Sequence, residues 1–475
     1  MKRYKRIYIL LGVLCAACVV TFAVSRYEAR KEQIESGEAV VWELDTDAVE
    51  SLSWEYEGQT LSFHKEDSWS YDEDAAFPVD EEKIHALLEQ FQAFGVSFTI
   101  TDPEDLSQYG LDDPVCTISI GTADETYTVL LGDFSTMDSQ RYVSIGDGNV
   151  YLAQSDPLDA FDAELSDLIQ NDELPSLDQV SEIVFSGTEN YTITYEEDST
   201  DTYREEDVYF TQQNGAHVPL DTDRVEDYLY TLEYLDLTDY VTYDASEEDL
   251  AAYGLDAPEL TVTVDYTAED ADGNETSETL VLHVSRDPAE LASQEGDASE
   301  EADSSDETEE TAEDITAYAR VDDSPIVYQI TGDEYLALLA TSYDDLRHAE
   351  VLPAAFANVS QIDITLEGTD YTIASEGSAE DRTYTYQDEE LEITDLQSAL
   401  ESLTADSFTD EEPTQRQEIS LTLHLDLEGQ PTVQIDLYRY DGSYCLAVVD
   451  GEPVSLVARS AVVTLIEAVN AIVLN

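Results

Sequence analysis

The chain has 475 residues, enough for about three domains of ordinary size. It carries 109 acidic and 19 basic side chains, and the resulting formal net charge of -90 excludes nucleic acid and anionic lipid surfaces as partners of its body. Its hydrophobic content of 42% and its 30 tyrosines exclude a wholly disordered chain, so folded cores are expected.

An uncharged apolar segment, residues 7–24, follows the basic sequence MKRYKR. As a helix it would be about 27 Å long, close to the hydrocarbon thickness of a bilayer. The basic residues in front of it predict a cytoplasmic N-terminus and an extracytoplasmic body, with residues 1–30 as the tip and transmembrane anchor of a single-pass cell-membrane protein. An uncleaved anchor is the favoured interpretation, while a cleaved signal peptide and a lipoprotein signal at Cys18 remain open.

Two later segments are nearly the same. Residues 96–121 read VSFTITDPEDLSQYGLDDPVCTISIG, and residues 240–264 read YVTYDASEEDLAAYGLDAPELTVTV. A repeat period of more than about 100 residues is typical of tandem domains rather than of a solenoid. The pattern of strands and helices extends this to three α+β repeats at residues 45–172, 177–350 and 355–475. Each is predicted to be a mainly antiparallel sheet with covering helices.

Each repeat is predicted to begin with alternating strands and then a helix with one apolar stripe. The first predicted helix of each repeat and its N-terminal cap are Glu81–Phe94 after Asp80, Thr222–Leu235 after Asp221, and Asp395–Leu403 with a capping box formed by Thr394 and Gln397. Helices are also predicted at the ends of the repeats, near residues 157–169, 332–346 and 458–472. Repeat 2 contains an insertion, residues 287–314, with many acidic and no basic side chains, which predicts a disordered loop between two hairpin strands.

The sharpest local motif is Tyr-Gly-Leu-Asp-x-Pro, which occurs in repeats 1 and 2 and is missing from repeat 3. A glycine after a short helix, an apolar residue behind it and then a proline is the chemistry of a left-handed helix end. We therefore favour a structural role, with a paired ligand site as the alternative. The residues concerned are Tyr109, Gly110, Leu111, Asp112 and Pro114, and Tyr253, Gly254, Leu255, Asp256 and Pro258.

No residue is predicted to be catalytic, to bind a cofactor or to ligate a metal. The six histidines are scattered and none has a partner at metal-ligand spacing in the sequence. Carboxylate pairs are too frequent in so acidic a chain to indicate acid–base catalysis. Cys116 and Cys445 replace apolar residues of the other repeats, so both are predicted to be core thiols.

Several of these features resemble a bacterial family catalogued as domain of unknown function 4340. They are the Tyr-Gly-Leu-Asp-x-Pro motif, the Leu131-Gly132-Asp133 hairpin entry, the tyrosine-centred strand that follows, and Asp345-Leu346-Arg347 with Leu352-Pro353. The resemblance covers repeats 1 and 2 well and repeat 3 only by pattern. It implies an N-terminal membrane anchor, an extracytoplasmic body and, for some members, association with ABC-type exporters of the gliding-motility kind. It implies no catalytic residues.

The sequence thus predicts a non-enzymatic, membrane-anchored binding or scaffold protein, an accessory component of an ABC-type transporter with the permease as partner. One alternative is a polyanionic envelope module that binds cations or basic wall components, and weak divalent-cation binding is expected of either. A carboxylate-dependent wall hydrolase is the second alternative. It would require a concave pocket containing an acid with a raised pKa.

Overall fold

The computed structural model describes residues 39–474, except for residues 102, 270–272, 293–311 and 378–380. The predicted anchor at 7–24 and most of the acidic insertion at 287–314 lie outside the described residues. Within the described ranges, no helix combines the length and apolar character needed to cross a bilayer.

The described chain forms three sheets of nine strands each, and every pair of neighbouring strands is antiparallel. This confirms the prediction of three tandem, mainly antiparallel repeats. The chain divides into two compact units, residues 1–171 and 172–475. The first unit contains sheet 1, and the second contains sheets 2 and 3.

Repeat 1 contributes the first sheet. Its strands are β1 (Ala39–Trp42), β2 (Val49–Tyr56), β3 (Gln59–Lys65), β4 (Trp69–Tyr71), β5 (Phe94–Ile100), β6 (Cys116–Thr122), β7 (Thr126–Ser135), β8 (Gln140–Ser144) and β9 (Val150–Ala153). Its helices are α1 (Glu81–Gln92) and α2 (Leu158–Phe161), with short 3-10 helices at Thr46–Ala48, Leu106–Tyr109 and Leu165–Leu168.

Repeat 2 contributes the second sheet. Its strands are β10 (Val180–Ser186), β11 (Asn190–Tyr195), β12 (Tyr209–Gln213), β13 (Ala216–Pro219), β14 (Tyr240–Thr242), β15 (Leu260–Glu269), β16 (Glu275–Arg286), β17 (Ala317–Val321) and β18 (Val327–Ile330). Its helices are α3 (Thr222–Glu233), α4 (Glu247–Ala252), α5 (Gly332–Leu339) and α6 (Tyr343–Leu346), with a 3-10 helix at Ala312–Asp314.

Repeat 3 contributes the third sheet. Its strands are β19 (Val359–Leu366), β20 (Thr369–Glu376), β21 (Thr383–Tyr386), β22 (Glu389–Leu391), β23 (Ala405–Phe408), β24 (Gln417–Leu425), β25 (Thr432–Arg439), β26 (Tyr444–Val449) and β27 (Glu452–Ala458). Its helices are α7 (Thr394–Glu401) and α8 (Arg459–Val473), with a 3-10 helix at Phe356–Asn358.

Sheets 2 and 3 have the same strand order. It is β13-β12-β11-β10-β15-β16-β17-β18-β14 in sheet 2 and β22-β21-β20-β19-β24-β25-β26-β27-β23 in sheet 3. Sheet 1 keeps the central order, β4-β3-β2-β6-β7-β8-β9-β5, but lacks a fourth meander strand and adds β1 beyond β5. In each repeat the first strand of the opening meander, β2, β10 or β19, lies at the centre of the sheet. It pairs there with β6, β15 or β24, the strand that follows the helix and the edge strand.

The central strand of each repeat carries the same pattern of buried residues and the same irregularity. The three shared buried positions are Val49, Leu52 and Trp54 in β2, Val180, Ile183 and Phe185 in β10, and Val359, Ile362 and Ile364 in β19, which also buries Leu366. The pairing register with the next central strand shifts just after the first of these positions in every repeat. A β-bulge increases local twist, so its repetition indicates that the three sheets are bent in the same way at this point.

The first helix of each repeat follows its predicted place closely. Asp80 and Asp221 cap α1 and α3 as predicted, since their carboxylates accept hydrogen bonds from backbone amides in the first turn. The predicted helix end at Phe94 is wrong, because α1 stops at Gln92 and Phe94 begins β5. The capping box at Thr394 is also wrong: Ile393 precedes the helix in a helical conformation, so Thr394 lies inside α7 and makes no cap.

The terminal helices differ from their predicted lengths. Residues 157–169 form the short α2 and a 3-10 helix instead of one helix, and residues 332–346 divide into α5 and α6. Only α8 runs unbroken over its predicted span. In repeat 2 the break at Thr341 allows Ser342 to cap α6 through a capping box with Asp345. Cys116 and Cys445, the cysteines of the described residues, are free, buried thiols in β6 and β26, as predicted.

Candidate functional site

The first predicted motif lies in repeat 1 at the end of the 3-10 helix Leu106–Tyr109. Gly110 has a left-handed backbone with φ +68°, and Leu111 behind it is buried. A Cβ atom on Gly110 would lie 2.7 Å from the Asp133 carboxyl carbon and 2.8 Å from its backbone nitrogen. The Tyr109 ring packs against Tyr142, with ring centroids 5.0 Å apart. The motif is therefore a helix end packed tightly against Gly132 and Asp133 within β7.

The second motif repeats this arrangement after α4 in repeat 2. Gly254 has φ +74°, and Leu255 is buried in a small apolar cluster with Tyr318 and Val327. The Tyr253 ring packs on Tyr318 at a centroid distance of 4.7 Å.

The remaining motif residues lie at the surface of their own repeats. Asp112 and Asp256 are exposed, and Pro114 and Pro258 are half-buried before strands β6 and β15. In both motifs the glycine, leucine and tyrosine thus have packing roles.

A different group of residues forms a partly buried set of charges in the second unit. We call it the junction cluster, and it consists of Arg204, Asp207, Asp221, His348 and Glu350. Asp207 lies just before β12 and Asp221 lies just before α3. His348 and Glu350 lie in the segment that leaves α6 and enters repeat 3.

Backbone hydrogen bonds hold the acidic side of the cluster in place. The Thr222 hydroxyl accepts a hydrogen bond from the Val208 amide at 3.2 Å and donates one to the Glu206 carbonyl at 2.8 Å, which fixes Asp207 beside the start of α3. The Asp221 amide donates to the Leu346 carbonyl at 3.0 Å. The start of α3 and the end of α6 are thereby tied together.

The segment that carries His348 and Glu350 also contacts repeat 3. The Val351 amide donates to the Leu403 carbonyl at 2.9 Å, and Glu350 forms a bridge with Thr404. On the other side, Tyr203 forms a bridge with Ala354 and packs against the repeat 3 core. The junction cluster therefore lies where repeats 2 and 3 join within the second unit.

His348 is the centre of the cluster. Its Nε2 lies 2.9 Å from Oδ1 of Asp207, whose side chain is 1% exposed and also accepts a hydrogen bond from the Thr202 hydroxyl. Its Nδ1 lies 3.7 Å from Oδ2 of Asp221 and 3.7 Å from Oε2 of Glu350. Nδ1 of His348 and Oε2 of Glu350 are buried atoms without a hydrogen-bond partner.

Arginines approach the same carboxylates. Arg204 donates from Nη2 to the Leu352 carbonyl at 2.8 Å, and the same nitrogen lies 3.7 Å from Oε2 of Glu350. Arg224 Nε lies 3.6 Å from Oδ2 of Asp221. An open groove of about 240 Å³ reaches the cluster, and it is lined by Arg204, Glu350, Leu352, Ala354, Ala355, Phe356 and Glu401.

The charges of the cluster are strongly coupled. Burial lowers the pKa of His348, but the Asp207 and Glu350 carboxylates outweigh it and raise that pKa to about 9. The neighbouring His348 in turn lowers the pKa of Glu350 to about 2. At neutral pH a protonated imidazole therefore faces three carboxylates. Such an arrangement can hold a cation, either the proton of His348 or a metal ion that replaces it.

The junction cluster was not predicted from the sequence. Its members are separated by as many as 146 positions, from Arg204 to Glu350, and His348 has no second histidine or cysteine near it in the sequence. The one usable signal was the capping aspartate Asp221, which was predicted for its structural role alone. Of the described residues, Asp221, His348 and Glu350 are the group whose ligand atoms all lie within 4.8 Å of one another.

Comparison with known proteins identifies a family and no relative. A family model described as Domain of unknown function (DUF4340) matches residues 69–258 and 211–421. No curated protein and no solved structure matches the chain.

The two family matches have the same position relative to the repeats. Each begins at the third strand of the meander, in β4 or β12, and each ends in the next repeat at the central strand that follows the edge strand, just before β15 or in β24. The family unit thus spans the boundary between consecutive sheets. Because the two matches together extend from residue 69 to residue 421, well over half of the chain, the protein belongs to the family described as Domain of unknown function (DUF4340).

Proposed function

We propose that the protein is a non-catalytic, membrane-anchored extracytoplasmic scaffold that serves an ABC-type transporter as an accessory component. The observation that carries the proposal is the presence of three sheets with closely similar strand order. In each sheet the two end strands pair with a neighbouring strand on one side only, so each sheet has two open edges. Open sheet edges in tandem are suited to binding extended segments of partner proteins.

The charge of the edges restricts the partner. In repeat 3 the end strand β22 presents Glu389 and Glu390, both exposed, and the opposite end strand β23 presents Asp406. Charged residues on an edge strand oppose pairing with a second copy of the same acidic chain. A partner segment that carries Lys or Arg relieves this repulsion, so the proposed contact is a basic extracytoplasmic loop of the permease.

The pKa shifts of the carboxyl groups count against the carboxylate-dependent hydrolase. In the part of the chain that the structure describes, every carboxyl group with a clear shift has a lowered pKa: Asp105, Asp147, Asp249, Glu290, Glu350 and Asp363. A glycosidase-type hydrolase needs a general acid whose pKa is raised, so that it remains protonated near neutral pH. In these six groups, hydrogen bonds to the charged carboxylate lower the pKa, which is the opposite of what a general acid requires.

The test is affinity purification of the detergent-solubilised full chain from its native membrane, followed by mass spectrometry. Recovery of a permease and an ATPase in near-equal amounts is the expected result. The matched control replaces residues 7–24 with an unrelated membrane helix, and it should recover the same proteins if the repeats make the contact. Recovery of the bait alone at low and at high salt would overturn the proposal.

The charge of the chain favours a second candidate, a polyanionic envelope module. Seven of the 19 basic residues lie before residue 32, so the body is almost entirely acidic. Binding of polycations or basic wall components through this charge would weaken steeply as salt rises. In the same purification, this function predicts basic wall-associated material at low salt, its loss at high salt, and no transporter at either.

A further inference from the structure

The unpaired atoms of the junction cluster require an explanation. Buried polar atoms nearly always have hydrogen-bond partners, and those that do not often mark a binding site. Nδ1 of His348 and Oε2 of Glu350 are such atoms, and they face each other at 3.7 Å. At 3.7 Å they are beyond hydrogen-bond distance when Nδ1 carries a proton, and when Nδ1 is neutral both atoms are acceptors.

The other side of the His348 ring has the partner that a metal-binding histidine has. Metal-ligating histidines usually donate their second ring N–H to a carboxylate or carbonyl, which fixes the ring and makes the ligating nitrogen more basic. Nε2 of His348 is 2.9 Å from the almost fully buried Asp207, and Asp207 is held by Thr202. This arrangement directs Nδ1 toward Asp221 and Glu350.

The distances fit a small ion. Zinc lies about 2.0–2.2 Å from imidazole nitrogen and carboxylate oxygen, so two ligands of a tetrahedral site lie roughly 3.3–3.6 Å apart. Nδ1 of His348 is 3.7 Å from each of the two carboxylate oxygens. The three ligand atoms all lie within 4.8 Å of one another, so binding of one ion would require them to move closer together.

We propose that Asp221, His348 and Glu350 bind one divalent transition-metal ion of the Zn²⁺ type, with Asp207 as the residue that positions His348. One imidazole with two carboxylates suits Zn²⁺ or Mn²⁺ better than it suits Ca²⁺ or Mg²⁺, which favour sites made only of oxygen. Of the three proposed ligands, Glu350 lines the open groove, which therefore brings solvent to one side of the site.

The charges around the proposed site are compatible with binding of a divalent cation. Arg204 and Arg224 each approach one of the ligating carboxylates and reduce its negative potential. With His348 neutral, the three carboxylates of Asp207, Asp221 and Glu350 still exceed the two arginines by one negative charge. An incoming dication also replaces the proton of His348, as metals do on binding histidine.

A bound ion would join parts of the second unit that are distant in the sequence. Asp221 begins α3 of repeat 2, whereas Glu350 pairs with Thr404 of repeat 3. Since both lie in the compact unit 172–475, the ion would restrain the junction between the two repeats. This inference does not depend on the transporter partner, so either proposal can fail alone.

The experiment is calorimetric titration of the detergent-solubilised full chain, stripped with chelator, with Zn²⁺ and then Mn²⁺. High ionic strength suppresses weak binding to the many surface carboxylates. The expected result is one saturable site, weakened at least 10-fold in His348→Gln and in Glu350→Gln. Asp207→Asn is expected to weaken it by about 10- to 100-fold, as other carboxylates that orient a metal-bound histidine do.

The matched control is His424→Gln. His424 also pairs through Nε2 with an aspartate, Asp363, at 2.7 Å, but it lies outside the group whose atoms could share an ion. This variant should bind Zn²⁺ as the unaltered chain does. Circular dichroism verifies that each variant is folded, and X-ray absorption of the loaded protein should show one imidazole in a shell of nitrogen and oxygen.

Two outcomes would overturn the proposal. One is equal Zn²⁺ binding by the unaltered chain, His348→Gln and Glu350→Gln. The other is uptake that never saturates and disappears at high ionic strength, which would leave His348 as a protonated ion-pair centre only. If Glu350→Gln alone folds, its titration is sufficient, because Glu350 is the most exposed of the three ligands.

Discussion

Repeats 1 and 3 build the same central sheet around different side chains. The third buried position of the central strand is Trp54 in repeat 1 and Ile364 in repeat 3. Trp54 stacks on Phe63 at 5.8 Å and meets Phe161 edge-on at 5.5 Å, whereas Ile364 belongs to a core that is mainly valine, isoleucine and leucine. The strand order therefore depends on alternation and on the shared bulge rather than on which apolar residues fill the core.

The two repeats also differ in the connection that leads into the central sheet. Repeat 1 uses the 3-10 helix that ends at Gly110, while residues 409–416 of repeat 3 form no helix. In repeat 3 the Thr409 amide donates to the Val454 carbonyl at 3.1 Å, and the Tyr440 hydroxyl donates to Glu411 at 2.9 Å. Both connections lead to the same central strand, β6 in repeat 1 and β24 in repeat 3. The Tyr-Gly-Leu-Asp-x-Pro motif therefore affects the route of the connection and not the position of the strand that follows it.

The largest expected effect comes from truncating one buried side chain in the core of each unit. Trp54→Ala should lower the free energy of unfolding of the first unit by about 4 kcal/mol, and Ile364→Ala should lower that of the second by about 3 kcal/mol. All three tryptophans, Trp42, Trp54 and Trp69, lie in repeat 1. Denaturant titration followed by tryptophan fluorescence therefore reports on the first unit, and far-ultraviolet circular dichroism reports on both.

Trp54→Phe is the control for this comparison, because it keeps an aromatic ring in the cavity and should lose much less stability. The fluorescence midpoint should move in Trp54→Ala and stay in place in Ile364→Ala. A shift of the fluorescence midpoint in Ile364→Ala would show that the two units do not unfold independently.

A smaller effect is expected at the glycines that end the short helices. Gly110→Ala should cost about 3 kcal/mol, of which about 1–2 kcal/mol is the left-handed backbone and the rest is the clash with Asp133. Gly254→Ala should cost less, because the nearest atom to its new Cβ is the Ser285 hydroxyl oxygen, whose side chain can rotate. The measurement is the unfolding midpoint of each variant.

Repeat 3 provides the matched control for the glycines. A Cβ atom on Gly442 would have no heavy atom within 4 Å, and the φ of Gly442 is not left-handed, so Gly442→Ala should change stability by less than about 0.5 kcal/mol. Equal costs at Gly110 and Gly442 would contradict the structural role of the motif.

The smallest effect at neutral pH is expected from the buried thiols. Burial raises the pKa of Cys116 to about 12, and burial also raises the pKa of Cys445. A raised pKa means that the folded state holds the thiol proton more tightly than the unfolded chain. The stability linked to Cys116 is therefore complete below an unfolded thiol pKa of about 8.5 and is lost as the pH rises toward 12.

Alkaline denaturation of Cys116→Ala and Cys445→Ala would measure this effect, in a background where Cys15 and Cys18 are replaced by serine. Cys116→Ala should flatten the loss of stability of the first unit above a pH of about 9, and Cys445→Ala should leave that unit unchanged. Rapid labelling of Cys116 by a thiol reagent at neutral pH, without unfolding, would disagree with its burial.

Sequence patterns were sufficient for the architecture where the determinants are local. The capping aspartates Asp80 and Asp221 and the helix-ending glycines Gly110 and Gly254 act within a few residues of their own position, and all four behave as predicted. The capping box predicted at Thr394 is wrong because the preceding Ile393 is already helical, and a capping-box pattern does not contain the backbone conformation of that residue. The long helix predicted at 157–169 failed similarly, since its periodicity does not show where the chain turns back on the sheet.

By itself the sequence determined three repeats, their strand alternation and the acidic surface, because these follow from periodicity and composition. Only the tertiary structure brought Asp207, Asp221, His348 and Glu350 together. Their proximity depends on the end of α6 docking at the start of α3 and on residues 349–354 lying between repeats 2 and 3. Contacts between residues so distant in the sequence have no local signature, so the junction cluster exists only once the second unit has folded.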